Sequence, residues 1–288
     1  MEKIAIIAND AGGSQLISSW IKFNKNNYNF SLSGPALSIF EKKIDVNFNQ
    51  TIKQAINKSD KVFVGTGWSS NHEFDAIKYS RKKKKHVIAF LDHWVNYEER
   101  FIRNGERILP DEFWVSDKHA FKLANRYFPK KQIKLVKNYY VEDQLKKISP
   151  LNSAVKSNLL YILEPMRNNW GKKISGEFQA LDFFFSMIPN LKLPNNLTIR
   201  LRLHPSEEKN KYDKWINKLN SGAVSIDTEK NLAKSISKVK WVVGCESFAL
   251  YLAALAGRKV YSSLPSWAPN EPRIPQVGII NIKDIIKQ

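Results

Sequence analysis

"KIAIIANDAGGSQLISSWIKF", residues 3–23, sets the fold. Ile4 to Ala8 is a short apolar run without alternation, as in a strand covered on both faces. "NDAGGSQ" (9–15) follows as a glycine-containing loop, and "SQLISSWIKF" (14–23) spaces its apolar residues as a helix does. Strand, tight loop and helix is the opening unit of a doubly wound α/β sheet. In such a sheet ligands collect where strands end and helices begin, because helix amino-terminal N–H groups attract anions.

The same alternation continues. "FSLSG" (30–34), "KVFVG" (61–65), "HVIAFL" (86–91), "EFWVSD" (112–117) and "IKLV" (133–136) read as strands, with helices around 50–58, 72–82 and up to Tyr127. The polar segment "KKISPLNSAVKSN" (146–158) interrupts the pattern, so the boundary is placed between 150 and 151. A second series then begins, with strands "LLYIL" (159–163), "LTIRLRL" (197–203), "AVSI" (223–226), "KWVVG" (240–244) and "KVYSS" (259–263). Helices are expected at 174–188, 206–219, 229–236, after Cys245 and at 282–288. The expected architecture is α/β, with two Rossmann-like doubly wound domains, 1–150 and 151–288, and a cleft facing the carboxyl ends of both sheets.

Composition narrows the function. The 288 residues are 43% apolar and 12% aromatic, which supports filled cores. Lys and Arg number 46 against 27 Asp and Glu, a formal charge of +19 that calls for an anionic partner. Cys245 is the single cysteine, which excludes an intrachain disulfide and any multi-cysteine metal site and favours a cytoplasmic address. "MEKIAIIAND" does not read as a signal peptide, and no apolar run reaches the ~20 residues that span a bilayer. No nucleic-acid-binding signature accompanies the charge, so nucleic acid is not the expected partner.

The loops after strands hold the candidate chemistry. Asp10 reads either as a helix cap or as a general base, with Gly12 and Gly13 permitting close backbone approach. Gly67 and Trp68 lie in a second glycine-rich turn, "VGTGWSSNHE" (64–73). "FLDHWVNYEERF" (90–101) crowds Asp92, His93 and Asn96 with aromatics at one strand end, a mixture suited to a sugar or other polyol. No metal site and no bound cofactor are expected, since Asp92 and His93 lack a third ligand at convincing spacing. In the second half, Glu164 and Arg167 follow a strand. In "RLRLHPSEEK" (200–209), Pro205 stops the strand and puts His204 and Ser206 at a strand-to-helix junction where both can donate to a phosphate. Glu246 and Ser247 start the helix after "VVG", and Ser262 and Ser263 end the next strand.

His204 and Pro205, with the serines of "CESFALYLAALAGRKVYSS" (245–263), resemble the HP and Ser/Thr motifs of bacterial sialyltransferases and polysialyltransferases, and of GT-B enzymes that use CMP-activated nonulosonic acids or Kdo. "NDAGG" is similar in position to the loop that carries their catalytic carboxylate. The resemblance implies a metal-independent, inverting transfer from a CMP-sugar to a surface-glycan or lipid-linked acceptor. Asp10 would act as base, and His204, Ser206 and Ser247 would hold the phosphate with Glu164 and Arg167 near the nucleotide. Such acceptors are made at the cytoplasmic membrane face, where Arg81, Lys82, Lys83, Lys84 and Lys85 can dock on anionic lipid; a solvated helix end is the plainer reading. The rivals are a UDP-sugar-dependent GT-B transferase or epimerase, although the further acid and histidine motifs expected of such epimerases are not found, a basic nucleic-acid-binding protein, and a catalytically silent subunit.

Overall fold

The computed structural model describes residues 1–46, 49–151, 158–165, 169–219, 222–268 and 273–285. The chain divides into two compact units, Met1–Glu142 and Asp143–Gln288. The division falls earlier than the composition of the linker suggests because Ser149 is already tied into the second unit. Its N–H donates to Ser237 Oγ at 3.0 Å and its carbonyl accepts from Arg258 at 2.6 Å.

The first unit runs β1 (Lys3–Ala8), α1 (Ala11–Ile21), β2 (Asn27–Leu32), α2 (Pro35–Ile44), α3 (Ile52–Asn57), β3 (Lys61–Val64), α4 (His72–Lys82) and β4 (His86–Phe90). A short hairpin, β5 (Ile102–Arg103) and β6 (Glu106–Arg107), precedes β7 (Glu112–Val115), α5 (Lys118–Tyr127) and β8 (Gln132–Leu135), and α6 (Tyr139–Leu145) spans the division between the units. The main sheet has six parallel strands in the order β2-β1-β3-β4-β7-β8. β1 therefore has its first successor on one side and β3 on the other, which opens a crevice at their carboxyl ends. Register keeps those ends level: Ala8 lies opposite Leu32 and Ile7 opposite Val64. One face is closed by Ile4 and Ile6 of β1, Leu16 and Ile17 of α1 and a knot of aromatic rings. In that knot Trp114 meets Phe63 at 4.8 Å and Trp20 at 5.2 Å, both edge-on.

The second unit runs β9 (Asn158–Ile162), α7 (Gly176–Met187), β10 (Thr198–Arg202), α8 (Asp213–Lys218), β11 (Val224–Ile226), α9 (Leu232–Ser237), β12 (Trp241–Gly244), α10 (Phe248–Leu255), β13 (Lys259–Ser262), β14 (Ile279–Asn281) and α11 (Ile282–Ile285). Its six strands are also parallel, in the order β11-β10-β9-β12-β13-β14. That is the dinucleotide-fold order, with its switch point between β9 and β12. Gly257, at φ +73°, closes α10 in the left-handed conformation that glycine adopts freely, as its place in the sequence suggests. Both units are thus Rossmann-like, as expected.

Several details depart from the sequence reading, among them α6 and the β5–β6 hairpin, which are additional elements. The strand-then-helix expected at 197–219 contains a turn at Pro205–Ser206, and α8 starts only at Asp213. The cause is Glu207, whose carboxylate accepts from the His204 N–H at 3.2 Å, Tyr212 Oη at 2.8 Å and Lys211 Nζ at 2.7 Å and folds the segment onto itself. No helix dipole therefore points at Ser206. α2 and β14 are additional elements. α11 begins where the terminal helix is expected, and 286–288 lie outside the described residues.

Candidate functional site

In the first unit the switch point collects carboxylates. Asp10 is the N-cap residue of α1, in extended backbone, but its side chain makes no capping bond. The Gly13 N–H, in the first turn of α1, is still close enough to favour the Asp10 carboxylate, so a weak cap role stands beside the general-base reading. Asp10 Oδ1 and Glu73 Oε2 are both buried without a hydrogen-bond partner among the described residues. The other Glu73 oxygen accepts from the Asn9 N–H at 2.7 Å, which fixes the turn that presents Asp10. A third carboxylate, Asp92, follows β4 and pairs with Arg100 at 2.5 Å, while Thr66 Oγ1 donates to it at 3.3 Å. Arg100 also donates to the Thr66 carbonyl at 3.0 Å and to Thr66 Oγ1 at 2.9 Å.

Glycines make room for this cluster. A Cβ on Gly12 would stand 1.8 Å from Asp92 Oδ2, and one on Gly13 would stand 3.1 Å from Asp10 Oδ1. A Cβ on Gly67 would meet both Asp10 Cγ and Glu73 Oε1 at 3.2 Å. In an ordinary first helical turn, Gly→Ala adds roughly 1 kcal/mol of helix stability. Gly12→Ala is expected to do the reverse, lowering stability by about 1–3 kcal/mol as the methyl displaces a carboxylate that Arg100 holds in place, and a urea midpoint measurement reads the sign.

Electrostatics separates the three acids. Burial, with the charges of Asp92 and Glu73 adding and Arg100 opposing, raises Asp10 to about 7. Glu73 is also raised, by burial first. Burial pushes Asp92 the same way, but the Arg100 guanidinium and then His93 outweigh it and hold Asp92 below the ordinary carboxylate range. The site therefore contains a committed anion, Asp92, beside an acid that can exchange a proton near neutrality, Asp10.

Of the other expected residues in this unit, Trp68 is exposed and His93 lies edge-on to Trp94 at 5.2 Å. Asn96 adopts φ +57°, and its carbonyl accepts from the Arg100 N–H at 3.3 Å. Sequence reasoning passed over Glu73 and Thr66 and did not pair Arg100 with Asp92. The available signal was a glutamate at the second position of the helix that follows a glycine turn.

The switch point of the second unit is filled from within. Glu164, just after β9, accepts through Oε1 from the N–H groups of Cys245 (2.8 Å), Glu246 (3.0 Å) and Ser247 (3.1 Å). Its Oε2 accepts from the Glu246 N–H at 3.0 Å. These are the N–H groups expected to meet a phosphate at the start of α10; the carboxylate already satisfies them, and Ser247 Oγ caps Ala249 N–H at 3.2 Å. Burial, then the neighbouring Glu246 charge, raise Glu164 to about 7 against the pull of those N–H groups. Glu246 itself pairs with Arg273.

Ser262 and Ser263 are buried beneath the strand end rather than presented on it. Ser262 Oγ donates to the Cys245 carbonyl at 2.8 Å, and Ser263 Oγ lies 2.8 Å from Tyr161 Oη. His204, Pro205 and Ser206 are exposed together. His204 Nδ1 accepts from the Ser206 N–H at 3.2 Å and contacts Ser206 Oγ at 2.7 Å, which leaves Nε2 as the ring's donor. Arg167 lies outside the described residues.

No protein-family profile matches the chain, and no curated protein sequence matches it. Solved structures do match in fold. UDP-GlcNAc 2-epimerase from Methanocaldococcus jannaschii is 14% identical at a TM-score of 0.67, over 99% of this chain and 91% of that one. UDP-GlcNAc 2-epimerase from Neisseria meningitidis, bound to UDP-GlcNAc, is 14% identical at 0.60, over 99% and 90%. The glycotransferase of kitacinnamycin is 9% identical at 0.55, over 99% and 89%. The fold of this chain is GT-B, two Rossmann-like units of six parallel strands each.

Proposed function

We propose that the chain is an enzyme acting on a nucleotide-activated sugar, with Asp10 as the general base. The observation that carries this reading is Asp10 itself: a carboxylate at a switch point, walled by glycines, with one oxygen unpartnered and its proton equilibrium near 7. A base poised near the operating pH takes a proton most effectively. In a transfer, Asp10 would accept the acceptor hydroxyl's proton as the new bond forms at the anomeric carbon and the nucleotide leaves with the electron pair of the broken C–O bond. In an epimerisation, it would take a proton from a sugar carbon.

A uridine diphosphate sugar is the substrate class we favour, since UDP-GlcNAc 2-epimerases are among the structures this chain resembles over its full length. A CMP-nonulosonate donor is the second reading. It is favoured by the exposed His204, whose Nδ1 is held by Ser206 so that the Nε2 N–H is offered to a single phosphate. For either donor the phosphate falls to groups other than the α10 N–H cluster, which Glu164 occupies.

Ligand-induced stabilisation separates the donors. At a hundred times its Kd a nucleotide adds about 2.7 kcal/mol, roughly 4–5 °C in melting temperature for 288 residues unfolding together. UDP is expected to produce this rise and CMP is not. The opposite result would establish the second reading, and no rise with either would remove the nucleotide assignment. Product NMR in deuterium oxide separates the reactions: epimerisation through carbon deprotonation installs deuterium on the inverted carbon, whereas transfer leaves every sugar C–H intact.

A further inference from the structure

In a parallel sheet with helical crossovers, the strand carboxyl ends share one end of the unit, and the strand amino ends share the other with the carboxyl termini of the helices that feed them. Asp10, Glu73 and Asp92 lie at the first end. The second end carries Asp60, Asp111 and Glu112 as well, and Glu2 there pairs with Lys61, but basic residues outnumber these acids. α3, α4 and α5 deliver the chain to β3, β4 and β8 through Lys58, through Arg81–Lys85, and through Lys130 and Lys131.

α4 shows how the cations are displayed. Arg81 and Lys82 fill its last turn, Lys83 is its C-cap, and Lys84 turns the chain at φ +54°. Helix C-terminal carbonyls favour cations within the last turn, which accounts for Arg81 and Lys82 but not for Lys84 and Lys85 beyond it. Arg81 through Lys84 are exposed and Lys85 is half-buried. Among the described residues none of the five forms an ion pair. An open hollow of about 300 Å³ is lined by Arg81, Lys84, Lys85, His86 and Asp111. A second, of about 330 Å³, lies against the same helix, but its wall holds Asp75 beside Lys53, Lys78 and Lys82, and Lys78 is paired with Glu106, so the first hollow is the anion site argued here.

We propose that this amino-end face of the first unit docks on an anionic lipid bilayer, with lipid phosphates entering the hollow between Arg81 and Lys85. The argument is charge complementarity spread over three successive helix ends. Such a face suits a surface of many headgroups better than a single-stranded nucleic acid, which calls for a groove with stacking aromatics. No helix among the described residues is long and apolar enough to cross a membrane, so the attachment described is by charge. It leaves the end of the sheet that carries Asp10 turned away from the lipid, and it does not depend on the reaction proposed for that site.

The test is co-sedimentation of the full chain with phosphatidylcholine vesicles, with or without phosphatidylglycerol, at low and at physiological salt. The wild type is expected to bind only the anionic vesicles, and less at higher salt. The variant R81S/K82S/K84S/K85S is expected to bind on the order of a thousandfold more weakly at low salt, at about 1 kcal/mol per cation removed. A control with equal charge loss in the second unit, K209S/K214S/K218S/K230S, is expected to bind within threefold of wild type. Unchanged melting temperatures would show that both variants fold. Equal binding to neutral vesicles would overturn the proposal, as would loss of binding in both variants alike. Release by millimolar inorganic phosphate would assign the hollow to free phosphate instead, and capture of the chain from vesicles by short single-stranded DNA would assign the face to nucleic acid.

Discussion

Asp10→Asn is expected to reduce turnover by roughly 10²–10⁴-fold, the range that a positioned general base supplies, while nucleotide binding is kept. The amide has the shape of the carboxyl but cannot accept the proton. The same substitution carries a signature in stability that a merely damaged protein would not show. Asp10 is raised from an ordinary 3.8 to about 7 in the folded protein. A raised carboxyl contributes stability that is fully present below its unfolded value, near pH 4, and is lost as pH rises through about 7. The asparagine variant has no such loss. It should therefore match the wild type most closely near pH 4 and gain on it steadily toward pH 8, as read by urea denaturation at each pH. Turnover of the wild type should follow the ionised fraction and fall as pH drops below about 7. A variant that is inactive and equally destabilised at every pH would show that Asp10 holds the fold rather than the proton.

Much of the fold was legible because parallel strands covered on both faces leave continuous apolar runs. "KIAIIA", "KVFVG" and "KWVVG" all became central strands. What escaped were elements whose patterns are short or mixed. α2 offers Pro35 at its start and Ala36 and Phe40 as its buried residues, a pattern that begins directly after a strand and a glycine. β14 is three residues long at a sheet edge. The helix expected from Ser206 failed because Glu207 had a better use for its carboxylate than the helix surface, folding back onto Tyr212 and Lys211.

The site divided in a similar way. Position after a strand was enough to single out Asp10, Gly12, Gly13, Asp92 and Glu164. It could not reveal which carboxylates already had partners. Glu164 reads as a ligand residue in sequence, yet it is bound to the N–H groups of a turn some 80 positions later, and only the β9–β12 register brings the two together. Ser262 and Ser263 were also visible by position alone, which did not show that each hydroxyl is already taken by a buried partner, the Cys245 carbonyl and Tyr161 Oη.

Arg100→Met is expected to be the most destabilising single change at the site. Arg100 and Asp92 have side chains only 7% and 9% exposed, so removing the guanidinium strands an anion in the interior and orphans the Thr66 carbonyl. Breaking a buried pair from one side typically costs about 3–5 kcal/mol, on the order of 10 °C in melting temperature here. Asp92→Asn in the same chain removes the stranded charge, so the double variant should recover at least half of the loss; the double-mutant cycle would then report a coupling of about 2 kcal/mol or more. The pH dependence has the opposite sign to that of Asp10. Asp92 is held below its ordinary range, so in the wild type its contribution is present above the unfolded value and is lost as pH falls through the folded one. In Arg100→Met that contribution is gone, and the deficit relative to wild type should be largest near neutrality and shrink on acidification, as Asp92 takes up a proton and no longer needs a counter-charge. A deficit that stays constant with pH, or no rescue by Asp92→Asn, would mean that Arg100 acts through its packing against the loop and not through its charge.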